Sequence, residues 1–261
     1  MFKKPYPLAL VMIQPQAMPG SYLNQSTSFS EIQEQVMAEA KMVAQMGFDG
    51  FILQNMHDGP ISQTARPETI AYMSVLASLL KKTYPELVLG ILVNWDGLAS
   101  LAVAEASQAD FVRVEHLYTG VSVSSTGLMQ GQCAEILSMK KRLESKIPIF
   151  ADAQEVNGTY VAPKPKVQEA CDIVRSAYAD GVFLSGESAS ESLQLGKAVK
   201  AKMPDVPLFL GGGATGDNIR ELMGVYDGVS VATWIKNGNM RNPIDPKRAE
   251  IFLSECRKAK P

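Results

Sequence analysis

Eight short apolar runs separated by amphipathic segments, four recurring turns that each carry an aspartate, and a triple-glycine turn on the seventh run predict a single (β/α)8 TIM barrel spanning residues 1–261. The runs are Leu8–Ile13, Gly50–Leu53, Val88–Val93, Phe111–Val114, Pro148–Ala151, Gly181–Leu184, Pro207–Leu210 and Gly228–Ala232. Each is apolar on successive residues rather than on alternate ones, as parallel strands buried on both faces require. The count separates a barrel from a doubly wound sheet, which would show about five or six units and a glycine loop on the first.

The intervening segments have readable ends. Ser30-Glu-Ile-Gln33 fits a capping box for a first helix whose buried stripe is Ile32, Val36, Ala40, Val43 and Ala44. Pro67 suits the first helical position ahead of Ile70, Met73 and Ala77. Asp245-Pro246 reads as N-cap and N1 of a last helix with Ala249, Phe252, Leu253 and Cys256 inward. Met46-Gly-Phe-Asp-Gly50, Ser107-Gln-Ala-Asp110, Tyr178-Ala-Asp-Gly181 and Val225-Tyr-Asp-Gly228 each close a helix and turn into a strand, which indicates one repeated unit rather than separate domains. The proline-rich Tyr160–Lys166 is expected to be a loop after strand 5.

Composition narrows the function. A formal charge of −2 supplies no general pull toward nucleic acid or acidic lipid. Three separated cysteines and only two histidines argue for a reducing compartment and against a Cys/His zinc site. The run Leu8–Ile13 is too short for a signal segment, and none approaches the ~18 apolar residues of a membrane span. The expectation is a cytoplasmic protein without membrane insertion, nucleic-acid partner, metal or cofactor. Barrels commonly form homo-oligomers, and that is expected here too, although no segment specifies one.

Chemistry in such a barrel collects at the C-terminal ends of the strands. There the chain offers Gln14 and Gln16; Gln54 and Asn55; Asn94 and Asp96; Arg113, Glu115 and His116; Asp152, Gln154 and Glu155; Ser185 and Glu187; Gly211–Gly213; and Thr233 with Lys236. The glycine turn and the adjacent eighth loop suit an anion, because amides at a helix N-terminus lack intrahelical partners and meet the positive end of the dipole. Gly211, Gly212, Gly213, Thr215, Thr233 and Lys236 are therefore the candidate phosphate grip, with Thr215 as N-cap of the following helix. A tight turn for close packing is the plainer alternative.

Asp152, Glu115 and His116 are the candidate catalytic groups, with Asp152 as a base if burial raises its pKa. Gln14, Asn55, Asn94, Asp96, Arg113 and Ser185 are the candidate substrate contacts. Arg113 and Glu115 are two apart and so face one side of an extended strand, where an internal ion pair is the competing reading. His57 reads as a loop residue, and the scattered methionines as core filling.

The ordered motifs then resemble the BtpA/SgcQ family, barrels named after a photosystem I biogenesis protein and a sugar-operon protein. The likeness runs through Met12-Ile to Met18-Pro-Gly20, Gly47-Phe-Asp-Gly-Phe-Ile-Leu-Gln-Asn55, Arg66-Pro-Glu-Thr69 and Gly90-Ile-Leu-Val-Asn-Trp-Asp96. It continues through Asp110-Phe-Val-Arg-Val-Glu115, Ile149-Phe-Ala-Asp152, Gly211-Gly-Gly-Ala-Thr, Asn218, Asp227-Gly-Val-Ser-Val-Ala-Thr233, Ile235-Lys-Asn-Gly238, Asn242-Pro-Ile-Asp245 and Arg248. The resemblance implies a phosphate-binding type of barrel, akin to phosphoribosylanthranilate isomerase. It points to an enzyme or former enzyme acting on a small phosphorylated sugar or nucleoside-like metabolite by isomerase, lyase or glycosyl chemistry. The alternatives are a non-catalytic assembly factor, as the photosystem association suggests, and a phosphometabolite sensor. This chain differs from the family pattern at Ile13-Gln-Pro-Gln16, where a histidine is common. It differs again at Gln54, where an acid is usual, and at Gln154-Glu-Val-Asn157, where His and Lys residues are frequent.

Overall fold

The computed structural model describes residues 6–154 and 158–259. Eight parallel strands close on themselves in chain order: Leu8–Ile13, Gly50–Gln54, Val88–Leu92, Phe111–Val114, Ile149–Asp152, Gly181–Phe183, Leu208–Leu210 and Gly228–Val231. They are called barrel strands 1 to 8, and strand 8 returns to strand 1 with Gly228 opposite Leu8. Outside them, among the described residues, lie α1 (Phe29–Met46), α2 (Pro67–Thr83), α3 (Gly97–Ser107), α4 (Cys133–Arg142), α5 (Lys166–Arg175), α6 (Ala189–Lys202), α7 (Ile219–Leu222) and α8 (Pro246–Arg257). The expected barrel is thus present, with one unit per apolar run. Among the described residues no helix is long and apolar enough to cross a membrane.

Local chemistry accounts for most helix ends. Pro67 opens α2, and Asp245 caps α8 by accepting from the amides of Lys247 at 2.9 Å and Arg248 at 3.2 Å. The first helix starts two residues earlier than the capping-box reading, at Ser28. Its hydroxyl accepts from the Glu31 amide at 3.3 Å, and Glu31 Oε2 accepts from the Ser28 amide at 2.8 Å. Both boxes exist in the sequence, and the one with the ionised third residue makes the stronger, charge-assisted bond.

The helix expected at Thr215 is also displaced. It is the single turn of α7, because the Asn218 side chain captures the loop ahead of it. Asn218 Oδ1 accepts from the Thr215 amide at 2.8 Å and its Nδ2 donates to the Gly213 carbonyl at 2.9 Å.

A three-stranded antiparallel sheet, Val121–Ser124, Gly127–Gln130 and Thr159–Tyr160, grows from the loops after barrel strands 4 and 5. Its strands mix serine and threonine with apolar residues, so a search for continuous apolar runs passes over them, and the segment read as a loop from Tyr160 instead begins in a strand.

Rings fill the barrel interior below the mouth. Phe111, Phe150, Phe183 and Phe209 are buried together, with Phe150 centroids 5.3, 6.2 and 5.1 Å from the other three. Neighbouring strands make room by omitting side chains. A Cβ on Gly90 would come within 2.4 Å of the Phe111 ring, and one on Gly181 within 2.3 Å of Phe150.

The four recurring turns share one task at the opposite end of the barrel from the mouth. Asp49, Asp110, Asp180 and Asp227 each precede an even-numbered strand, and each reaches back to an amide at the start of the strand before it. The bonds run from Ala9 N to Asp49 at 2.8 Å, Leu89 N to Asp110 at 2.8 Å, Ile149 N to Asp180 at 2.8 Å and Leu208 N to Asp227 at 2.7 Å. A cation neutralises each carboxylate: Arg257, Lys81, Lys140 and Lys200 in turn. Removing one such acceptor strands a strand-initiating amide and a lysine. Asp110→Ala should therefore lower unfolding stability by about 1.5–3 kcal/mol in chemical denaturation. A wild-type midpoint would contradict this role.

Candidate active site

The strands open at their C-terminal ends into a cleft of about 520 Å³. Met12 and Phe183 contribute apolar lining. Above Phe183 the guanidinium of Arg113 stacks on the ring, 4.2 Å from the centroid. Arg113 leaves strand 4 beside strand 5, whose last residue is Asp152, and grips that carboxylate in a fork: Nε to Oδ2 at 2.8 Å and Nη2 to Oδ1 at 2.7 Å. Its Nη1 lies 3.3 Å from Ser230 Oγ on strand 8, so one side chain ties three strands across the base of the cleft. Glu115, two residues beyond Arg113, faces the same space, as the extended-strand spacing requires.

A chain of amides fills the side between strands 1 and 4. Gln14 Nε2 donates to Gln54 Oε1 at 2.8 Å, and Gln54 Nε2 lies 3.0 Å from Asn94 Oδ1 and 3.2 Å from Glu115 Oε2. Each link needs both a donor and an acceptor on one side chain, which carboxylates alone do not provide.

The opposite wall suits an anion. Gly211, Gly212, Gly213, Thr215 and Thr233 all line it, beside Ser185. Ser185 Oγ accepts from the Gly211 amide at 3.2 Å. Gly213 holds φ at +75°, a conformation glycine adopts without strain. Among the described residues the amides of Gly212 and Gly213 take no hydrogen-bond partner. Because α7 is one turn long, these are loop amides rather than a helix terminus.

Arg248, in the first turn of α8, lines the same wall. It stacks on Trp234 at 4.2 Å and donates through Nε to the Trp234 carbonyl at 2.6 Å. Only the resemblance pointed to Arg248. The additional signal was its place three residues after a cap, since the first turn of a barrel helix stands at the mouth.

Several candidates sit elsewhere. Lys236 is 1 % exposed and does not line this cleft; its Nζ lies 3.4 Å from Gln14 Oε1 and 4.0 Å from Glu39 Oε2 on α1. Asp96 caps α3, accepting from Leu98, Ala99 and, through Oδ2, Ala65 amides. Asn55 Oδ1 accepts from the Asn94 amide just beyond strand 3 at 2.7 Å, while Asn94 reaches the site through Gln54 and through Met56 Sδ, which its Nδ2 meets at 3.6 Å. His116 is buried beneath the small sheet, its Nε2 3.3 Å from Ser122 Oγ and its ring 5.2 Å from Trp95. Gln154 lines the cleft, and Glu155 lies outside the described residues. Among the described residues no group of three or more His, Cys, Asp or Glu is placed to hold a metal ion.

Similar solved structures give the class. The native KDPGal structure aligns with a TM-score of 0.62 at 13 % identity, covering 99 % of this chain and 98 % of that one. N-(5'-phosphoribosyl)anthranilate isomerase from Pyrococcus furiosus aligns at 0.56 and 16 % identity, covering 95 % and 98 %. At such identities the likeness speaks for the TIM-barrel fold alone. The BtpA family model matches residues 6–258, and the chain belongs to the BtpA family. An uncharacterized protein of Methanocaldococcus jannaschii is 33 % identical over 100 % of this chain and 98 % of its own length. The photosystem I biogenesis protein BtpA of Synechocystis sp. is 32 % identical over 87 % of this chain and 82 % of its own.

Burial works against the charged forms of both Lys236 and Glu39. It pushes the Lys236 ammonium below its usual pKa, against the pull of Glu39, and holds the Glu39 carboxyl above 4.5, against the pull of Lys236. A carboxyl raised on folding contributes stability that is complete below its unfolded pKa and is lost as pH climbs through the folded one. Glu39→Gln removes that titration. The stability of the variant relative to wild type should therefore rise as pH goes from below 4.5 to neutrality. A constant difference in denaturation midpoints over that range would refute the assignment.

Proposed function

We propose that the cleft binds a small phosphorylated sugar or nucleoside-like metabolite and moves a proton on it. The observation that carries this reading is the convergence of two unlike walls on one space. One wall holds the Gly212 and Gly213 amides, Thr233 and Arg248; the other holds Glu115, Asp152 and the amides of Gln14 and Gln54. Loop amides and a guanidinium are matched to the oxygens of a phosphate, which takes several donors at once. A phosphate held there directs the rest of a small metabolite toward the carboxylates.

The proton-moving groups in this proposal are Asp152 and Glu115. Asp152 has both oxygens engaged by Arg113, which keeps its orientation constant, and Glu115 receives the neutral amide of Gln54. Gln14, Arg113 and Ser185 position the substrate. Isomerisation and bond cleavage beside a carbonyl both begin with such a transfer. Lys236, Asn55, Asn94, Asp96 and His116 enter only as supports.

A thermal-shift series with phosphosugars and nucleotides tests binding. Ligand at ~100 times its Kd should add roughly 2.7 kcal/mol of stability. Arg248→Met should weaken a phosphorylated ligand about tenfold or more, as loss of a charge-assisted bond does. Absence of any shift across the series, or an unchanged affinity in the variant, would remove the phosphate assignment. With the ligand found, Asp152→Asn and Glu115→Gln should each cut turnover about 10²-fold or more with binding retained. Wild-type turnover in both variants would leave a binding protein without catalysis.

A non-catalytic partner-binding role is favoured by one observation. Val123, Leu128 and Val161, on or beside the small sheet, are 50, 62 and 57 % exposed. Such apolar side chains suit a partner surface, and a binding-competent barrel without turnover would move the balance to that role.

A further inference from the structure

On the far side of Gln14 lies a second cleft, of about 360 Å³, between the loop after strand 1, the inner face of α1 and the loop following strand 8. Gln14 and Met240 line both clefts, and Glu39, Gln35 and Lys236 line only this one. Two acceptors here are buried without a hydrogen-bond partner, Glu39 Oε2 and Gln35 Oε1. Glu39 is 8 % exposed, and its nearest cation, Lys236 Nζ, stands at 4.0 Å, outside hydrogen-bond reach. Its other oxygen accepts from Gln35 Nε2 at 3.5 Å. Buried acceptors are nearly always paired in native proteins, so two unpaired ones on one cleft mark a place for a donor.

The surroundings decide which donor. A cationic amine would meet the Lys236 ammonium, with Arg241 and His57 also on the cleft wall. A fully ionised anion has no proton to give to Glu39. A hydroxyl donates, carries no charge and can accept in return from Lys236 or from the side-chain amide of Gln16. We propose that the second cleft binds a neutral, polyhydroxylated ligand of sugar or polyol type, whose hydroxyls donate to Glu39 Oε2 and Gln35 Oε1. This site is separate from the phosphate wall, and its occupancy does not depend on phosphate binding there.

Saturation-transfer NMR with ribose, galactose and xylitol tests the proposal, with inorganic phosphate as the probe of the first cleft. At least one neutral probe should bind and shift the Gln35 side-chain amide resonances of the wild-type protein. Glu39→Met and, separately, Gln35→Met should each weaken that probe, the former about tenfold or more, since a bond to a charged acceptor is lost. Phosphate binding should be unchanged in both variants, and Arg248→Met should lose phosphate while keeping the neutral probe. No binding by any neutral probe, shifts elsewhere than Gln35, or displacement of the neutral probe by phosphate would overturn the inference. Loss of phosphate binding alone would overturn the reading of the first cleft and leave this one standing.

Discussion

The four aspartates at the closed end of the barrel are the constraint on which the rest depends. Each joins two consecutive strands by a charged bond to a backbone amide that would otherwise begin its strand unpaired, and each is neutralised by a lysine or arginine on a surrounding helix. Strand starts held in this way set the register of neighbours. Register in turn decides which side chains point inward at the other end, because a slip of one residue exchanges the two faces. The alternation matters as well: strands 1, 3, 5 and 7 are held by the turns that introduce strands 2, 4, 6 and 8, so the barrel is stitched as four pairs.

Between this base and the mouth, the phenylalanine cluster separates structural from chemical interior. Four buried rings fill the lower barrel, and three of them, Phe111, Phe150 and Phe209, occupy space that the neighbouring Gly90, Gly181 and Gly228 leave. The first polar layer rests directly on it, with Arg113 stacked on Phe183 and forked onto Asp152. A buried guanidinium and carboxylate in bidentate contact satisfy each other where either alone would be costly. That pair closes the base of the cleft with charge held in a definite orientation, while the amide chain from Gln14 to Asn94 closes one side without adding net charge.

Much of the architecture was legible in the residues. Eight continuous apolar runs gave eight barrel strands, the proline at position 67 and the Asp245-Pro246 pair marked true helix starts, and the recurring aspartate turns marked a true repeat. The small sheet was not legible, because its strands are partly polar and short. Among site residues, strand-end position was the dependable signal: Gln14, Arg113, Glu115, Asp152, Ser185, the glycine turn and Thr233 share one cleft. Position alone failed to separate them from Asn55, Asp96 and His116, which leave the same rim and serve strands, caps and the small sheet.

The sequence by itself determined the barrel, because strand number, burial on both faces and the repeated turns are local properties written into apolar runs and aspartates. Only the tertiary structure decided direction and partnership. Lys236 and Arg248 are both cations near the last strand. The chain path buries the first against α1 and stacks the second on Trp234 at the cleft wall. Where a long side chain ends depends on contacts with residues far away in the chain, and no spacing within a motif encodes them.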